Sequence, residues 1–296
     1  MFGECHAHML MNGYNYKEAV NSHSQGVCKA LVHNYFQEYV KQDVTFIRDG
    51  GDALGVSRYA KDIACEYGVD YRTPVFAIHK NGHYGSIVGR GFDTMKEYRK
   101  LVNKVKESGG DFIKIMVSGI VDFKELGVIT GTCLKRDEIQ EMIHIAHEEG
   151  FAVMVHVNGK QAFLDSVESG ADSVEHGNFI DGECMDALIA NNTVWVPTLV
   201  TIKNLLGSGR YEDATVKNIY DLAAANVKKA FEKGAILALG SDAGAFMVPH
   251  GTGIYDEYQA FIDILDVEKK EADLRLAQGE SQIRSRFKTE NFKTYT

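Results

Sequence analysis

Short runs of β-branched and apolar residues recur along the chain, separated by longer stretches in which apolar positions return every three or four residues. The first pattern predicts strands near Phe2–His8, Val44–Arg48, Pro74–Ile78, Phe112–Val117, Ala152–His156, Ser173–His176, Val194–Pro197 and Ile236–Gly240. The second predicts amphipathic helices. In Asp137–Glu149 the side chains of Ile139, Met142, Ile143 and Ala146 share one face, as do Ala162, Phe163 and Val167 in Lys160–Ser169. Gly150, Gly170 and Gly234 stand where such helices should close before the next strand. Strands alternating with helices predict an α/β fold whose parallel sheet closes as a (β/α)8 TIM barrel, a single domain over residues 1–265. Residues 266–296 are expected to be a C-terminal helical extension of the same domain, with Ile283 and Phe287 four apart and able to dock one face on the barrel. The alternative is an open doubly wound sheet, but no GxGxxG turn follows the first strand.

Composition narrows the function classes. The chain has 296 residues, 45% hydrophobic and 25% charged, as an ordinary globular protein does. Its formal net charge of -9 repels a phosphate backbone, so nucleic acid is not expected as a partner. Five cysteines, Cys5, Cys28, Cys65, Cys133 and Cys184, are odd in number and widely spaced, which fits a reducing, cytoplasmic setting. The first ten residues carry no basic segment followed by an apolar one, and no apolar run approaches the length of a membrane span. The expectation is a soluble cytoplasmic protein without a membrane partner, with homo-oligomerisation left open.

Ligand-type residues gather at the predicted strand ends. In Glu4-Cys5-His6-Ala7-His8 the two histidines are two apart on a strand and face the same way, toward the mouth of the barrel. His156 closes the fifth strand and His176 the sixth, where barrel enzymes place their chemistry. Either one alone is more often a hydrogen-bonded core histidine; two in succession after His-x-His point to a metal. Asp242, in the glycine-rich turn after the eighth strand, can bind a metal through one oxygen and take a proton through the other, although aspartate there is also a common helix cap. Lys114 lies between large apolar neighbours on the fourth strand. A buried ammonium is costly unless it is paired, deprotonated or chemically changed. Its carboxylated form would bridge two metals, its free amine would serve a Schiff-base aldolase, and its bland reading is a side chain that reaches solvent. His144 and His147 fit neither HExxH nor HxxEH.

Taken together, His-x-His on strand one, lysine on strand four, histidine on strands five and six and aspartate on strand eight resemble the amidohydrolase superfamily. The strings TFIRDGG, DFIKIMVSG, VMVHVNG, DSVEHGNF, VPTLV and LALGSDAG are similar to its imidazolonepropionase-like and prolidase-like branch. The resemblance covers about Phe2 to Tyr258. It implies two divalent metal ions, zinc in the first instance, with His6 and His8 on the buried ion, His156 and His176 on the more exposed one, carboxylated Lys114 between them and Asp242 as ligand and general base. It also implies a metal-activated hydroxide that cleaves the amide or peptide bond of a small substrate, an N-acyl amino acid or dipeptide. His83 resembles a family loop histidine near the scissile carbonyl, and with Arg48 it is the candidate group for the substrate carboxylate. Most relatives carry a small β-sandwich built from strands before His-x-His and after the eighth unit; here His-x-His begins at residue 6 and the tail reads helical, so the sandwich is expected to be either absent or trimmed from the chain. Imidazolonepropionase-like cleavage of a cyclic amide is the nearest alternative, although those relatives resemble mononuclear members without the bridging lysine. A Lys114 aldolase and a non-catalytic metal-binding barrel are the alternatives from other classes.

Overall fold

The computed structural model describes residues 2–288, so the part of the 266–296 extension from residue 289 on lies outside the described residues. Parallel pairing organises the strands. β1 (Glu4–Ala7), β2 (Phe46–Asp49) and β3 (Asp70–Arg72) form one sheet in that order. β4 (Ala77–Lys80), β5 (Gly89–Phe92), β6 (Ile113–Met116), β7 (Val153–Val157), β8 (Ser173–His176) and β9 (Val194–Val196) form a second, ordered β5-β4-β6-β7-β8-β9. The helices between and after them are α1 (Tyr16–Ser22), α2 (Lys29–Lys41), α3 (Val56–Ile63), α4 (Met95–Glu107), α5 (Arg136–Glu148), α6 (Lys160–Glu168), α7 (Gly182–Asn191), α8 (Val200–Lys203), α9 (Asp213–Lys233), α10 (Thr252–Ile264) and α11 (Lys269–Arg286).

Local chemistry accounts for many of these boundaries. α4 begins at a capping box, in which Thr94 accepts from the Glu97 amide and Glu97 accepts from that of Thr94. α5 buries Ile139, Met142, Ile143 and Ala146 on the face expected from their spacing. Among the described residues no helix is long and apolar enough to cross a membrane.

Two of the expected strands differ. The third, expected over Pro74–Ile78, is regular only from Ala77 on, as β4, which pairs with β6, while β3, which pairs with β2, lies before it and was not expected. Pro74 cannot donate to a ladder and Val75 sits at φ 68°, so the chain turns between β3 and β4. The eighth, Ile236–Gly240, forms no regular ladder. Isolated parallel bridges link Leu237 to Trp195 and Ala243 to Ala7, so this segment runs from β9 to β1. Gly240 allows the approach: a Cβ there would lie 2.8 Å from the His6 amide nitrogen and 2.6 Å from Val196.

Register then carries the ligand types to one end of the strands. Met116 pairs with His156 across β6 and β7, and Val157 with His176 across β7 and β8. At the opposite end α11 brings Ile283 and Phe287 into an apolar cluster with Phe46, Phe112, Met154 and Val196. The Phe287 ring meets Phe112 edge-on at 5.3 Å.

Candidate active site

β1 presents His6 and His8 on one face, and both rings turn toward the Asp242 carboxylate. His6 Nε2 and His8 Nε2 each lie 3.5 Å from the same oxygen, Asp242 Oδ1. One ligand atom from each of these three residues falls within 4.8 Å of the others. The His176 ring lies 5.1 Å from that of His6, and His156 lies 4.7 Å from His176, so four imidazoles form a continuous arc. Lys114 and Asp242 line the same cavity, of about 780 Å3, together with His8, His156 and His176.

Three of the four rings are held by a hydrogen bond. His6 Nδ1 donates to Glu175 at 2.9 Å. His156 Nε2 donates to the Gly119 carbonyl at 3.1 Å, and His176 Nδ1 shares a 2.8 Å hydrogen bond with Thr198 Oγ1. These bonds fix ring orientation and tautomer, as partners behind metal-binding histidines do. Gly50 makes room for His8: a Cβ at that position would stand 2.2 Å from the His8 ring. Asp242 sits at φ 60° with its amide donating to the His6 carbonyl at 2.7 Å, and Glu4 accepts from both the amide and the hydroxyl of Ser241 beside it.

The charges in this space are unsettled without a further ligand. Burial pushes His8 and His156 down to about 3, with the Lys114 charge adding to it, so both are neutral donors of a lone pair. His6 and His176 are held well below the usual imidazole range, by burial first and then by neighbouring cations. Burial raises the Asp242 carboxyl and lowers the Lys114 ammonium, each opposed by the other's charge. Four buried polar atoms here have no hydrogen-bond partner: His6 Nε2, His8 Nδ1, Lys114 Nζ and Asp242 Oδ1. Buried polar atoms are ordinarily satisfied, so a cluster of orphans of this donor type fits a divalent cation.

The amidohydrolase family model matches residues 5–266. The chain belongs to the amidohydrolase family. Solved structures similar to this amidohydrolase include a Xaa-Pro dipeptidase with bound methionine, with a TM-score of 0.77 at 20% identity over 96% of this chain and 75% of that one. A. niger ochratoxinase gives 0.80 at 18% identity, covering 95% and 71%. A prolidase complexed with N-methylphosphonate-L-proline gives 0.75 at 20%, covering 96% and 74%. At these identities the likeness is one of fold. Uncharacterized proteins of Mycobacterium bovis and Mycobacterium tuberculosis are 31% identical over 130 residues, 42% of this chain and 35% of their own length. The aligned segment is thus about a third of the length of those curated relatives.

Two expected substrate contacts of this amidohydrolase lie elsewhere. Arg48 is fully buried among the strands, where it donates to Glu175 at 2.9 Å, to Ser173 at 2.7 Å and to the Cys5 carbonyl at 2.7 Å. With these partners it does not line the cavity. His83 turns its Nδ1 to the Thr132 carbonyl at 2.9 Å, and the cavity wall is formed by the next residue, Tyr84. Arg210 was not foreseen. It lines the cavity with its guanidinium 4.4 Å from the Phe246 ring and 5.5 Å from that of Tyr211, and among the described residues it has no acidic partner. Glu175 was missed as well, although Ser173 and Glu175, two apart on a strand, repeat the signal that singled out His6 and His8.

Proposed function

We propose that this amidohydrolase cleaves the amide bond of an N-acyl amino acid or dipeptide at a two-metal centre on a (β/α)8 barrel. The observation that carries the reading is the convergence of neutral buried histidines, Lys114 and Asp242, with His6 Nε2, Lys114 Nζ and Asp242 Oδ1 among the unpartnered atoms. In this reading His6, His8 and Asp242 would hold one divalent ion, zinc in the first instance, and His156 and His176 a second, with carboxylated Lys114 as a further ligand. Bound there, the ions supply Lewis acidity and lower the pKa of water.

The chain's own groups supply the rest. Asp242 carries one oxygen toward His6 and His8 and keeps the other for a proton, taken from the attacking water and returned to the leaving amine. Glu175 holds His6 with Nε2 inward, and Arg48 holds Glu175. Val121, Phe123, Leu205 and Phe246 give one side of the cavity an apolar wall suited to an acyl group or side chain. Arg210 takes the place that Arg48 and His83 were expected to fill, facing a substrate carboxylate. The bound methionine of one structural neighbour and the phosphonate-proline of another support a ligand with a free amino-acid carboxylate.

The test compares kcat/KM of zinc-reconstituted protein for N-acyl amino acids, for their C-terminal amides and for imidazolonepropionate. The acids should be preferred, and Arg210→Met should raise KM for them about tenfold or more with little change in kcat, because binding is lost equally from ground and transition state. Equal rates for acid and amide overturn the carboxylate assignment. A preference for the imidazolone favours the cyclic-amide alternative, and a borohydride-trapped lysine adduct favours the aldolase.

A further inference from the structure

The functional reading gives no group of the protein the task of donating to the scissile carbonyl oxygen, and the loop after β4 supplies one. His83 donates its amide to the Lys80 carbonyl at 3.0 Å and Val88 to that of Gly85 at 3.1 Å, so the loop Asn81–Val88 is tied at both ends. Gly85, at φ 130°, passes so close to β6 that a Cβ would lie 2.8 Å from Met116 and 2.9 Å from His79. That close passage sets Tyr84 over the site. Its ring centroid lies 5.1 Å from that of His156, tilted by 37°, and its side chain lines the cavity that Lys114, His156 and Asp242 also line. His83 beside it has its ring engaged with Thr132 and faces away.

We propose that Tyr84 is a catalytic residue of this amidohydrolase, its phenol O–H donating to the oxygen of the scissile carbonyl as the carbon becomes tetrahedral. The inference rests on the amide-hydrolase reading. The oxygen gains charge as water adds, so a preplaced donor is worth more in the transition state than in the ground state. The phenol keeps its proton throughout: the C–O bond to the attacking water forms, the amide C–N bond breaks, and the water's proton passes by Asp242 to the leaving amine.

Steady-state kinetics of the full zinc-reconstituted chain on an N-acyl amino acid tests this, with wild type, Tyr84→Phe and His83→Ala compared. Tyr84→Phe keeps the ring on His156 and should lower kcat by about 100-fold while KM stays within a few-fold, the size and pattern of losing one oxyanion donor. It should also weaken an N-phosphonyl amino acid, a tetrahedral mimic, by a similar factor. Thermal melting should match wild type, since the residue is partly exposed at the cavity rim. A Tyr84→Phe variant with wild-type kcat overturns the proposal and leaves the hydrolase reading standing. The reverse pattern, with the loss in His83→Ala, overturns it in favour of the histidine. A wild type that turns over no amide removes the hydrolase reading and this proposal together.

Discussion

Arg48 and Glu175 form an ion pair closed off from water, and its value lies in what it positions. The guanidinium reaches Glu175 at 2.9 and 3.0 Å, and the same carboxylate accepts from His6 Nδ1 at 2.9 Å. Removing one partner of such a pair leaves the other charge buried and uncompensated, a loss of about 3–5 kcal/mol. Arg48→Met should therefore lower the urea midpoint of unfolding by that order and weaken metal retention through His6, with KM for an N-acyl amino acid little changed in the protein that remains folded. A variant of unaltered stability with a raised KM would return Arg48 to the substrate. The misplacement has a simple cause. Alternation along a strand tells which face a side chain takes, but it does not tell how deep in the stack that side chain lies. Strand-end position made His6, His8, His156, His176 and Asp242 legible as a group. Glu175 was hidden because alternation allows only one of two neighbours to point inward, whereas His176 at φ 66° lets both do so.

Helix α10 contributes a carboxylate to an element it does not belong to. Glu257 is fully buried and accepts from the amides of Leu199 at 2.9 Å and Val200 at 2.8 Å, the first free donors of α8. Burial dominates and lifts it from 4.5 to about 8, against those two hydrogen bonds and the charge of Lys203, with Glu4 adding to the rise. The unfolded chain releases this proton near the ordinary carboxylate value, whereas the folded chain keeps it to higher pH. The contribution is thus complete below about pH 4.5 and is lost as pH rises through about 8. Glu257→Gln has no proton to lose, so its melting temperature should fall less than that of wild type between about pH 5.5 and about pH 8. Parallel slopes for the two proteins would show that Glu257 titrates normally in the fold. Sequence periodicity does not reach this contact, because the two ends of the bond lie 57 and 58 residues apart. The same limit explains the strands: apolar runs located seven of the eight expected segments as regular strands, while β3, β5, the turn at Val75 and the irregular Ile236–Gly240 depend on backbone torsion, pairing and close approach.

The whole molecule is tied together at two levels. α11 returns the chain to the strand starts, where Phe287 packs on Phe112 and lies 4.4 Å beneath the Arg48 guanidinium. At the other end the six proposed ligands come from five strand-end segments between His6 and Asp242, so an ion held there joins residues that are otherwise linked only through the sheets. Cations bound to this arrangement and not to the unfolded chain stabilise it by mass action, about 2.7 kcal/mol at a free concentration 100 times the dissociation constant. For a chain of this size each kcal/mol moves the melting temperature by about 2–4 °C at most. Zinc added to metal-stripped protein in bicarbonate should therefore raise the melting temperature by several degrees, and elemental analysis should approach two ions per chain. Lys114→Met tests the bridge separately, because it removes the nitrogen that is to be carboxylated and exchanges a buried ammonium for an apolar side chain of similar length. Its metal-stripped form should be at least as stable as wild type, since Lys114 Nζ has no hydrogen-bond partner to lose. Its zinc-loaded form should hold fewer than two ions and gain less on loading. A wild type that never exceeds one ion, or a Lys114→Met protein that binds two as tightly, would leave a mononuclear centre on His6, His8 and Asp242 and take the bridging role from Lys114.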